Sequence, residues 1–124
     1  MKMAASNPLP DPKWKIARSF PRFAIDLPAT VHVSTSGEPP PISGRMVDIG
    51  LGGACVVVAA EPSGLGPRQK VTLEFRFPMS LSALRLRATV RHCHHVNHYG
   101  FQFVDAQSEE REKIRRACVG LKIV

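Results

Sequence analysis

Two stretches of strict two-residue alternation constrain the fold more than anything else in the chain. Val71-Thr72-Leu73-Glu74-Phe75-Arg76-Phe77 puts Val71, Leu73, Phe75 and Phe77 on one face and polar residues on the other. Leu84-Arg85-Leu86-Arg87-Ala88-Thr89-Val90-Arg91 repeats the pattern, with Arg85, Arg87, Thr89 and Arg91 as a basic outer stripe. A helix buries residues three and four apart, so a period of two specifies strands with one buried face. Pro78 ends the first run because proline has no N–H to give to a ladder.

The remaining strands are shorter. Residues 29–33 carry Val31 and Val33 on one face, and residues 44–49 form a short strand ending near Asp48. Residues 54–60 are a valine-rich apolar run, hence a buried strand. Residues 100–104 point Phe101 and Phe103 inward. Residues 34–41, with Gly37 and three consecutive prolines, and residues 62–67, with Gly64 and Gly66, read as loops. About six short strands separated by turns predict a mainly β fold, a small six-stranded antiparallel barrel. A helix over about 108–120 follows. Ser108 is its expected cap, Glu109 and Glu110 lie in the first turn, and Ile114, Ala117, Cys118 and Leu121 share one face. The 124 residues suffice for one domain, spanning 15–124, behind a flexible N-terminal leader, 1–14, rich in proline. Trp14 either pins that leader to the barrel or stacks on a purine.

A hydrophobic content of 44% fits a folded chain, and no apolar run is long enough to span a membrane. No signal peptide is visible, so cytoplasmic residence is expected. Cys55, Cys93 and Cys118 are odd in number and widely spaced, which fits small buried hydrophobes in a reducing compartment. The net charge is +7 and unevenly placed: residues 1–25 carry +4 and residues 67–91 carry +5. Such a surface attracts anionic partners. No nucleophile with an adjacent base is evident, so no enzyme is expected.

Two further stretches carry chemistry. In Arg18-Ser19-Phe20-Pro21-Arg22, Pro21 opposes a helix and holds Phe20 extended. An extended segment can aim both guanidinium groups at one object, and a planar fork suits phosphate or the O6/N7 edge of guanine. In Asp48-Ile49-Gly50-Leu51-Gly52-Gly53, a carboxylate precedes three glycines. The carboxylate only accepts, which suits N1 and N2 of guanine, and the glycines let a ligand approach the backbone. Together they describe a guanine nucleotide site.

These residues resemble the PilZ domain family, the bacterial receptor module for cyclic di-GMP. The family pattern is RxxxR followed by D/N-x-S-x-x-G. Arg18 and Arg22 match the first motif, and Asp48 and Gly53 match the ends of the second; Gly50 stands where the family usually has serine. Residues 22–28 resemble the family's first strand, and Tyr99-Gly100-Phe101-Gln102-Phe103 its closing strand. The resemblance implies a PilZ-type barrel that binds cyclic di-GMP through Arg18, Arg22, Asp48, Gly50, Gly52 and Gly53. It further implies a leader that folds over the nucleotide and a relay to an unidentified partner protein, since no effector domain is present. A serine hydroxyl would add one hydrogen bond, so Gly50→Ser is expected at this level to tighten binding.

Three rivals come from the same residues. One is a degenerate PilZ domain that binds no nucleotide and serves as a protein adaptor. Another is a metal site built on His92, His94, His95 and His98, although no recognised ligand spacing is present and a turn near Asn97 is needed to return His98. The third is nucleic-acid binding by Arg85, Arg87 and Arg91, which the inward placement of the strand aromatics opposes. No cofactor is expected.

Overall fold

The computed structural model describes residues 20–35, 37, 39–58, 65–93 and 97–124, with only the backbone of Cys93. The leader and Trp14 lie outside the described residues. Six strands form in chain order: β1 (Phe23–Val33), β2 (Ile42–Ile49), β3 (Gly53–Val58), β4 (Lys70–Phe75), β5 (Leu84–Cys93) and β6 (His98–Phe103). All pairings are antiparallel, and the sheet closes on itself as a barrel in the order β1-β2-β3-β6-β5-β4. One helix, α1 (Ser108–Cys118), follows.

The alternation translates directly into burial. Val71, Leu73 and Phe75 of β4 and Leu84, Leu86, Ala88 and Val90 of β5 all face the interior, where they meet Met46, Ile49, Val56 and Phe101. β4 ends at Phe75, two residues before the alternation does. Phe77 stays buried without ladder bonds, its ring edge-on to Phe75 at 5.4 Å.

Residues 22–28 and 29–33 merge into one long strand rather than two short ones. β1 carries a bulge between Ala24 and Leu27, and its pairing with β4 begins only at Ala29. Pro28 therefore sits beside a bulge, a position where a sheet tolerates proline.

The cap of helix α1 falls one residue before the expected Ser108, which is instead the first helical residue. Gln107 is the cap, and its backbone N–H donates to Glu110 Oε1 at 2.8 Å. The helix ends at Cys118, short of residue 120, and Gly120 takes φ +86. Ile114 and Cys118 are buried on the barrel, and Ile114 is fully so. Ile114→Ala is expected to lower unfolding stability by about 2–4 kcal/mol in a denaturant titration, because it empties a site between two elements. On the exposed face, Arg115 and Arg116 both engage Glu112 and hold its carboxyl down to about 2 from 4.5. A depressed folded pKa contributes stability above the unfolded pKa and loses it as pH falls towards the folded one. Helicity measured by circular dichroism should therefore fall between pH 4.5 and about 2, and Glu112→Gln should remove that part of the transition. Contact with solvent, to which the Glu112 side chain is 41% exposed, keeps the effect small.

After Gly120 the chain returns to the start of β1. Ala24 N–H donates to the Lys122 carbonyl at 2.7 Å, and Val124 N–H to the Arg22 carbonyl at 3.0 Å. Phe23 and Ile123 form an antiparallel bridge between them. Among the described residues, no helix is long and apolar enough to cross a membrane.

Candidate functional site

Strand register brings the two chemical motifs together. Phe23 and Ala24 pair with Ile49 and Asp48, so the arginine segment enters the barrel alongside the end of β2. Arg22 Nη1 donates to Asp48 Oδ1 at 2.9 Å, with both side chains about 15% exposed. This is a charge-assisted bond in a mostly covered position. The backbone of Arg22 is held separately by Val124, so its guanidinium extends from a fixed base. Arg18 lies outside the described residues.

The glycines between β2 and β3 act by close approach. Gly50 N–H donates to the Gly53 carbonyl at 2.9 Å, and Phe103 N–H donates to the Gly52 carbonyl at 2.9 Å, which tightens the turn and ties it to β6. A Cβ at Gly50 would fall on the Pro21 carbonyl oxygen, and one at Gly53 would fall on the Phe101 carbonyl oxygen. The Gly53 Cβ would also stand 2.8 Å from Arg22 Nη2. Each glycine thus admits a backbone that a side chain would displace.

Position 50 differs from the sequence-level expectation. There is no room for a serine with Pro21 in this place, because the arginine segment rests directly on Gly50. The expected gain from Gly50→Ser is therefore withdrawn.

Phe20 was not singled out from the sequence as a site residue. The Phe20 ring lies over Gly52, 3.0 Å from where a Cβ would stand, and is 42% exposed. Its position between the two arginines was the available signal. Cys55, expected from the sequence to be buried, is only half-buried because its place in β3 turns it outward; it pairs with Asp48 on β2 and with Gly100 on β6. Register partners share a face, so the thiol lies beside the carboxylate on the outer wall. The His92 imidazole fills the space that a side chain at Gly100 would take.

His92 ends up in β5 and His98 opens β6, while His94 and His95 lie outside the described residues. The turn needed to return His98 is present, with Asn97 at φ 70. Among the described residues, no three His, Cys, Asp or Glu side chains cluster to hold a metal. The basic stripe is partly neutralised: Arg85 meets Glu74 at 3.3 Å, Arg87 meets Asp105 at 3.1 Å, and Arg91 donates to Gln102 at 2.7 Å. The aromatics Phe75, Phe77, Phe101 and Phe103 are buried.

The structure is thus a closed six-stranded barrel with Arg22 leading into its first strand and a carboxylate–glycine turn set against that arginine. The PilZ domain profile matches residues 17–120, and the chain belongs to that family. Solved structures agree on the fold. The PilZ domain of CeSA from a cellulose-synthesizing bacterium shares 18% identity at a TM-score of 0.61, covering 80% of this chain and 95% of that one. The PilZ domain with c-di-GMP of YcgR from Escherichia coli shares 16% at a TM-score of 0.67, covering 84% and 90%. The Bacillus subtilis inhibitor of motility, MotI/DgrA, shares 16% at a TM-score of 0.67; 82% of this chain matches 49% of that one. No curated protein matches the chain.

Proposed function

We propose that the chain is a cytoplasmic cyclic di-GMP receptor that passes the signal to a partner protein and catalyses no reaction. The observation that carries the reading is the 2.9 Å contact between Arg22 and Asp48, which joins the two motifs at one place. Membership of a receptor family, and the nucleotide in the YcgR structure, support it. Arg18 and Arg22 grip phosphates and the Hoogsteen edge of guanine. Asp48 accepts from the Watson–Crick edge; a carboxylate has two oxygens, and Arg22 engages Oδ1. Gly52 and Gly53 keep the turn low enough for the ligand to lie against it, and Gly50 seats the arginine segment. The leader closes over the bound nucleotide, and its movement is the output.

Calorimetric titration of the folded chain with cyclic di-GMP tests the reading. Micromolar or tighter binding is expected, and the plateau gives the stoichiometry. A folded protein that releases no heat and shows no mobility change with ligand would leave the adaptor reading in its place.

A further inference from the structure

The turn joining β4 to β5 is not used by the nucleotide site. Met79 and Leu81 there are 99% and 100% exposed, more than any other described large apolar side chain. The turn is braced. Ser80 N–H donates to the Phe77 carbonyl at 3.1 Å, Arg76 Nη1 to the Ser80 carbonyl at 3.0 Å, and Ser80 Oγ to the Ser82 carbonyl at 3.1 Å. Met79 adopts φ 70, a left-handed conformation that glycine or asparagine fills with less strain. Met79 thus holds a strained backbone while its side chain stands fully in solvent.

The surrounding charge is of one sign. Between Glu74 and Asp105 the sequence has no acidic residue and four arginines. The two bounding acids are already engaged by Arg85 and Arg87. Arg76, at the base of the turn, has no carboxylate partner among the described residues. Two convex apolar knobs with a cationic collar need no preformed pocket on the other side. They match the layer beneath anionic headgroups, which takes apolar side chains at the acyl boundary and arginines at the phosphates.

We propose that residues 76–83 form a membrane-contact tip that inserts Met79 and Leu81 into an anionic lipid surface while Arg76 engages the headgroups. Two aliphatic side chains and one unpaired arginine give reversible attachment, no stronger than the roughly 10⁴ M⁻¹ of a single acyl chain. A receptor held in this way samples the membrane and leaves it again.

Sedimentation with lipid vesicles tests the proposal and needs no nucleotide, so it stands apart from the receptor reading. Vesicles of phosphatidylcholine with about a third phosphatidylglycerol should bind the wild type at least about tenfold more tightly than phosphatidylcholine alone. The double variant Met79→Asn/Leu81→Ser keeps a residue suited to the left-handed turn and should melt like the wild type. It should lose about tenfold of that binding or more, and Arg76→Ala should lose part of it. High salt should weaken attachment. Failure of the wild type to bind anionic vesicles would overturn the proposal and leave the knobs to a protein with an acid-rimmed pocket. Equal binding by the double variant, or equal binding to both vesicle types, would overturn it as well.

Discussion

Arg22→Ala is expected to weaken cyclic di-GMP binding by at least about a hundredfold, equivalent to about 2.8 kcal/mol. Two losses combine. The guanidinium is one of two charge-assisted donors proposed for the ligand, and such bonds contribute about twice what neutral ones do. Its removal also leaves Asp48, only 16% exposed, without the partner that orients it. A mostly covered carboxylate without a partner costs about 1–3 kcal/mol, so the variant should also unfold at lower denaturant. Asp48→Asn separates the two effects, because the amide keeps an acceptor for Arg22 while presenting donors to the guanine edge. Calorimetry on both variants should give no measurable heat for Arg22→Ala and clearly weakened binding for Asp48→Asn. Wild-type affinity in Arg22→Ala would remove Arg22 from the site.

Gly50→Ser is expected to weaken binding, about tenfold or more, and to lower stability by about 1–3 kcal/mol. Its new Cβ meets the Pro21 carbonyl oxygen, a backbone atom that cannot rotate away as a side chain tip can. Pro21 and Arg22 must then move outward, which stretches the contact to Asp48 and the bond from Val124 to the Arg22 carbonyl. One added hydroxyl contributes at most about 1.5 kcal/mol to a ligand, and the displaced arginine forfeits more. A parallel titration of wild type and Gly50→Ser decides the sign. Tighter binding by the serine variant would mean that the arginine segment lifts off Gly50 whenever ligand arrives.

Most of the barrel was legible because its strands are half-buried and alternate. Val71 to Phe75 and Leu84 to Val90 announce their inward faces residue by residue. The long first strand was not, since Pro28 reads as an interruption until the bulge beside it is seen. The helix boundary shifted because Gln107 caps through its backbone bond to Glu110, and a serine one position later is the more familiar signal. The pairing of residues 122–124 with β1 leaves almost no trace in a four-residue tail. At the site, the motif spacing pointed to Arg22 and Asp48, and register then put them in contact. The tight seat of Pro21 on Gly50 depends on backbone proximity across 29 positions, and no local pattern encodes it.

The bridge between Phe23 and Ile123 sets the polypeptide's point of entry to the barrel beside its point of exit, one strand spacing apart, about 5 Å. Two spectroscopic labels placed at these two positions begin as close neighbours, so any rearrangement near Arg22 that frees Val124 changes their separation and is read out as a distance.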